Sequence, residues 1–101
     1  MTRGFLKAGF EVTGIDNSKH VEATFVENNH AVFEKKDLFH EVIRHKTDII
    51  TGGPRCKPWA SVNVSSDKCA VNHRDYNLFG KFFAHVEENR PDMFLFENVP
   101  L

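Results

Sequence analysis

The sequence predicts an α/β fold with a mostly parallel sheet. Short apolar runs of strand length alternate with segments whose apolar residues recur at helical spacing. The strand-like runs also end alike. Three finish on an acidic residue or lead closely to one (Asp16, Asp37 and Glu97), and the other leads into Gly52, Gly53, Pro54 and Cys56. No repeat, low-complexity run or linker breaks the alternation, so the 101 residues read as one domain or part of one.

Residues 5–8 are expected to be the tail of a helix, stopped by Gly9 just past its end. Residues 10–15 (FEVTGI) then form a strand that ends at Asp16. Ser18 suits a helix cap and Glu22 the first turn, so a helix is predicted from Lys19 to about Asn28, burying Val21, Phe25 and Val26. Residues 31–33 make a short strand toward Asp37. Phe39, Val42 and Ile43 lie at helical spacing, which predicts a short helix over 38–45.

Residues 47–51 (TDIIT) read as a buried strand closed by Gly52, Gly53 and Pro54, with a long polar loop onward through His73. The clearest helix is 76–89, where Leu78, Phe79, Phe82, Phe83 and Val86 form one apolar stripe and Pro91 follows the end. Residues 93–96 (MFLF) are an apolar strand running into Glu97.

Composition narrows the function classes. At 41% hydrophobic and 27% charged the chain is ordinary globular material, and ten phenylalanines supply core bulk. A net charge of -1 argues against a free-standing nucleic-acid binder, which carries a basic excess. No apolar run approaches the ~18 residues of a membrane span, and no secretory leader is expected. Two cysteines, Cys56 and Cys69, make no disulfide framework and suit a reduced, intracellular setting.

In an open parallel sheet, ligands sit beyond the carboxyl ends of the strands. Asp16, Asp37, Cys56 and Glu97 all fall at that edge, as a site would require. A single loop cysteine is ordinarily a bystander; the Gly-Gly-Pro before Cys56 and the Glu-Asn-Val after the next helix reverse that reading. Cys69 keeps the bystander reading. Cys56, Cys69 and His73 fit no common zinc spacing, so no metal is expected. The histidines receive no role, and Lys35, Lys36, Arg44 and Lys46 read as solvated surface.

Residues 52–63 (GGPRCKPWASVN) resemble the Gly-Gly-Pro-Pro-Cys loop of the DNA cytosine-5 methyltransferases, and residues 96–100 (FENVP) resemble that family's Glu-Asn-Val strand end. Residues 4–29 read like the family's stretch after its first glycine-rich motif, so the resemblance covers essentially the whole chain. It implies a partial Rossmann-like methyltransferase fold and transfer of a methyl group from S-adenosylmethionine to carbon 5 of cytosine in DNA. Cys56 is then the nucleophile, adding at carbon 6 of a cytosine flipped out of the duplex, and Glu97 hydrogen-bonds the pyrimidine. Its neighbours Arg55 and Lys57 are cations of the kind that favour a thiolate.

The resemblance further implies that Asn98 holds the loop or Glu97 in place beside the substrate, and that Pro54 lines the substrate and the methyl donor. Asp16 corresponds to the acidic residue on the donor's ribose and Asp37 to the contact with its adenine. Asn17 and Leu78 complete the donor site. Arg55 stands where the family usually has proline, Lys57 where it has glutamine, and Asn17 where some members stack an aromatic on the adenine. Arg74 is not quite in register with a frequent family arginine.

What the resemblance implies for organisation is a partial catalytic domain over residues 1–101, with the family's first strand, glycine-rich loop and target-recognition region absent. The isolated chain is therefore expected to be inactive, and to need its C-terminal part or a complementary chain. With the first strand gone, residues 10–15 and 47–51 either pair directly or leave open inner edges. The expected setting is the cytoplasm, near the nucleoid, or the nucleus. The rivals are a tRNA cytosine-5 methyltransferase and a non-catalytic remnant. A thiol redox protein ranks last, for want of a Cys-x-x-Cys pair.

Overall fold

In a computed structural model, residues 1–56 and 75–98 are described. They belong to two units, Met1–Glu41 and Val42–Leu101. The expected polar loop, with Lys57, Cys69, His73 and Arg74, lies largely outside the described residues.

The first unit opens with helix α1 (Thr2–Lys7). Gly9 takes a left-handed φ of 90°, and two reverse bonds close the helix: Gly9 N–H to Leu6 O at 3.1 Å and Phe10 N–H to Phe5 O at 3.1 Å. The Phe5 and Phe10 rings meet edge to face at 5.6 Å, the apolar contact that accompanies such a closure. Phe10 is thus engaged in ending α1. The next strand, β1 (Thr13–Asp16), accordingly begins three residues later than the sequence suggests and includes Asp16 itself.

Helix α2 (Lys19–Asn29) follows at once, with Ser18 at its cap position. The Ser18 hydroxyl makes no capping bond. The Asp16 carboxylate instead accepts from Ser18 N–H at 2.8 Å, so the cap comes from two residues upstream. The half-buried face of α2 is Glu22, Phe25 and Asn29. Phe25 lies on Phe33, with ring centroids 5.5 Å apart.

Val21 and Val26, expected to be buried, are 43% and 45% exposed. They flank the middle of the Glu22–Phe25–Asn29 face by about 70° on either side. A pair of strands roughly 5 Å apart is narrower than a helix about 10 Å across and cannot cover both flanks. Strand β2 (Val32–Lys35) then pairs in parallel with β1, Thr13 opposite Val32 and Asp16 opposite Lys35.

The predicted helix over 38–45 is reduced to a single turn, in which His40 and Glu41 N–H donate to Asp37 O at 3.0 and 2.8 Å. Beyond it, side chains take the backbone groups that a helix would have used. Ile43 N–H donates to His85 Nδ1 at 3.4 Å, His45 N–H to Asn89 Oδ1 at 2.7 Å, and Asn89 Nδ2 donates to Ile43 O at 2.7 Å. Ile43 is buried by this clasp.

In the second unit, β3 (Ile49–Gly52) pairs in parallel with β4 (Met93–Phe96), and α3 (Leu78–Asn89) connects them. Helix α3 starts two residues later than expected, after a turn at 75–77. Phe82 and His85 are its buried side chains. Phe82 packs edge to face on Phe94 and Phe96, and Phe79 lies against Phe96 at 5.0 Å. Phe83, expected in the core, is 42% exposed, although its ring stacks on Phe96 at 5.6 Å. Arg44, in solvent, pairs with Glu88 at 2.6 Å, and that hydrogen bond and charge raise the Arg44 pKa above its ordinary value.

The described strands thus make two parallel two-stranded sheets, β1-β2 and β3-β4, with one ladder partner for each strand. Parallel strands are normally covered on both faces. Here Met93, Phe94 and Leu95 remain 54%, 47% and 45% exposed. Among the described residues no helix is long and apolar enough to cross a membrane.

Candidate active site

The carboxyl end of the β3-β4 pair is built by backbone register. Gly52 stands opposite Phe96, and Glu97 N–H donates to Gly52 O at 3.0 Å, carrying the ladder one residue beyond the strand. Gly53 and Pro54 consequently leave the sheet beside Glu97 and Asn98. The Asn98 side-chain N–H donates to Pro54 O at 2.8 Å and ties the two strand ends together.

Each glycine before Pro54 has an occupant over it. A Cβ on Gly52 would stand 2.6 Å from the Phe82 ring, and one on Gly53 would stand 3.0 Å from Glu97 Oε2. The first glycine lets α3 close on the strand, and the second makes room for the carboxylate. Cys56 follows two residues after the tethered Pro54 carbonyl, half-buried and as a free thiol, while Arg55 and Glu97 are exposed. Leu78 opens α3, half-buried.

The β1-β2 pair ends in two carboxylates. Asp16 is opposite Lys35, and Asp37 comes two residues later, so both lie at the carboxyl end of parallel strands. Each is held by its own turn: Asp16 Oδ1 accepts from Ser18 N–H, and Asp37 Oδ1 accepts from Phe39 N–H at 3.0 Å. Lys36 N–H donates to Asp16 O at 3.1 Å and joins the two strand ends. Asn17, between β1 and α2, is exposed.

The expected residues therefore fall into two sets. Pro54, Cys56, Glu97 and Asn98 share one strand edge; Asp16, Asn17 and Asp37 share another, in the other unit. Among the described residues, no three or more His, Cys, Asp or Glu side chains cluster as metal ligands do. Sequence reasoning missed the roles of Gly53 and His85. His85 had a readable signal, since it sits three residues after Phe82 and four before Asn89 on the apolar face of α3. Gly53 had a weaker one: a second glycine that the turn into Pro54 does not by itself require.

The class the structure defines is an α/β protein in which a free thiol and a carboxylate follow adjoining ends of two parallel strands. A family model for C-5 cytosine-specific DNA methylase matches residues 1–101, and the chain belongs to that family. It is similar to the type II methyltransferase M.MthTI of Methanothermobacter thermautotrophicus, 31% identical over 100 residues that cover 96% of this chain and 29% of that protein. It is also similar to the type II methyltransferase M.AgeI of Thalassovita gelatinovora, 31% identical over 108 residues that cover 95% of this chain and 24% of that protein. The chain thus spans less than a third of either relative.

Proposed function

We propose that this chain carries the nucleophile and the pyrimidine-binding carboxyl of a DNA cytosine-5 methyltransferase, and that its two βαβ units are parts of a Rossmann-like methyltransferase fold. The observation that carries the reading is the β3-β4 register, which sets Gly53 and Pro54 beside Glu97 and Asn98 and brings Cys56 out at the same edge.

The Cys56 thiolate adds to carbon 6 of a flipped-out cytosine. A sulfur–carbon bond forms, the carbon 5–carbon 6 π bond opens, and its electron pair makes carbon 5 nucleophilic. The Glu97 carboxyl, donating its proton toward N3 and accepting from the exocyclic amino group, offsets the negative charge that develops on the ring. Asn98 holds the Cys56 loop by its bond to Pro54. After methylation, loss of the proton on carbon 5 and expulsion of the Cys56 sulfur restore the double bond and the free thiol.

S-adenosylmethionine supplies the methyl group. Asp16 suits its ribose, because the carboxylate spends one oxygen on Ser18 N–H and can accept further hydrogen bonds on the other. Asp37 is proposed for the adenine amino group, and Asn17, Pro54 and Leu78 for the walls of that site. The reaction is proposed for these residues joined to the remaining length of such a protein, on the same chain or a complementary one. The family favours duplex DNA over tRNA as substrate.

Covalent trapping tests the reading. The chain, with and without a complementing C-terminal part, is mixed with S-adenosylmethionine and duplex DNA carrying 5-fluorocytosine. The fluorine blocks release, so one turnover leaves an adduct that mass spectrometry assigns to Cys56, and Cys56→Ala abolishes it. Absence of an adduct in the completed protein would move the reading to a non-catalytic remnant.

A further inference from the structure

Gly53 stands where a turn would seem to explain it, yet its backbone is not in the left-handed region; Gly9 alone among the described glycines has a positive φ. Conformational freedom therefore does not account for a glycine at this position. Space does. A Cβ at 53 would meet Glu97 Oε2 at 3.0 Å, the Glu97 carbonyl oxygen at 3.4 Å and Glu97 Cβ at 3.8 Å. All three nearest atoms belong to one residue.

Glu97 is exposed and follows the last residue of β4. An exposed glutamate ordinarily extends into water. This one instead lays its carboxylate back over the backbone that leads through Pro54 to Cys56. Among the described residues no side-chain hydrogen bond or ion pair of Glu97 holds it there, and the absence of a side chain at Gly53 is what leaves it room.

We propose that Gly53 is a positioning residue: the missing side chain at 53 keeps open the seat in which the Glu97 carboxylate lies, and so sets that carboxylate against the Cys56 turn. The catalytic consequence rests on the reading of Glu97 as the pyrimidine-binding carboxyl; the seat itself does not. The steric balance favours a folded but altered variant. The tightest contact is with the far end of a flexible, exposed side chain, which yields more readily than backbone. Gly53→Ala is therefore expected to keep the fold and push the carboxylate aside by a few tenths of an ångström. Misplacement of a reacting group by about an ångström costs on the order of a hundredfold in rate, and this smaller shift correspondingly less.

Two readouts separate the seat from the chemistry. The first follows the chemical shift of the Glu97 side-chain carboxyl carbon by NMR, in the chain as it stands. Gly53→Ala is expected to shift that signal, while Gly80→Ala, with nothing within 4 Å of the added carbon, leaves it unchanged. Should Gly53→Ala lose amide dispersion, Glu97→Asp reads the same contact from the other side: shortening the side chain empties the seat and moves the Gly53 Hα signals.

An unmoved Glu97 signal in a folded Gly53→Ala chain, or unmoved Gly53 protons in Glu97→Asp, overturns the proposal whatever the protein's activity. The second readout is the rate of 5-fluorocytosine adduct formation in the completed protein, expected to fall by up to about tenfold in Gly53→Ala and by no further factor when Gly53→Ala is added to Glu97→Gln. A shifted Glu97 signal with no adduct in the unaltered protein sinks the methyltransferase reading and leaves the seat standing.

Discussion

The two units share one strand-helix-strand plan and differ in how the first strand reaches its helix. In each, a strand, a helix and a second strand form a parallel pair. In each, a helix phenylalanine lies on a glycine of the first strand: Phe25 over Gly14 and Phe82 over Gly52, both at 2.6 Å from a notional Cβ. In each, the helix ends on asparagine and then on a non-glycine residue in the left-handed region, His30 at φ 51° and Arg90 at φ 45°. Asn29 and Asn89 both return a side-chain N–H to the carbonyl four residues back, Phe25 O at 2.9 Å and His85 O at 2.8 Å.

The difference is how the first strand reaches its helix. Two residues, Asn17 and Ser18, join β1 to α2, whereas residues 53–77 join β3 to α3. A two-residue connection leaves room only for a cap, and Asp16 provides it. A long connection has room for a thiol beyond the strand end, Cys56. The same fold element thus places a carboxylate at the end of one strand and a thiol beyond the end of the other.

That comparison divides the proposed work between the units, and the largest expected effect follows from the division. Cys56→Ala is expected to abolish adduct formation, whereas Asp16→Ala should weaken S-adenosylmethionine binding and leave a saturable adduct at high donor concentration. A full loss of adduct in Asp16→Ala at saturating donor would erase the distinction.

The helix phenylalanines give the next contrast. Phe82 is 9% exposed and Phe25 only half-buried. Phe82→Ala is expected to cost about 3–5 kcal/mol, as for a buried phenylalanine. Phe25→Ala should cost about half that, since it surrenders less buried area. Urea titrations of both variants, followed by amide dispersion, compare them directly.

The glycines beneath those rings come third. Gly14→Ala and Gly52→Ala should each destabilise by about 1–3 kcal/mol through overpacking. Trimming the ring above, as Phe25→Leu or Phe82→Leu, should return part of that cost; an undiminished penalty would place the strain elsewhere. The smallest effect belongs to the caps. His30→Gly and Arg90→Gly relieve a left-handed side chain and should each stabilise by about 1 kcal/mol, read as a higher urea midpoint.

Where elements are local, the sequence was legible. Gly9 announces the closure of α1, the apolar stripe announces α3, and the MFLF run announces β4 with the bounds it has. The order of motifs also anticipated that Asp16 and Asp37 come at or just past the carboxyl ends of one parallel pair, and Cys56 and Glu97 just past those of the other. The family, too, was legible, since it is written in short contiguous motifs.

Tertiary structure decided what depends on distant partners. Residues 38–45 carry a helical spacing, but Asn89 and His85, more than forty positions away, supply hydrogen bonds that a helix would otherwise make for itself. Val21 and Val26 are apolar and exposed, because a two-stranded sheet is too narrow to cover them. Gly53 is a glycine because Glu97 lies against it from another strand. Spacing along a chain records a residue's local preferences; only packing determines which neighbour fills the space beside it.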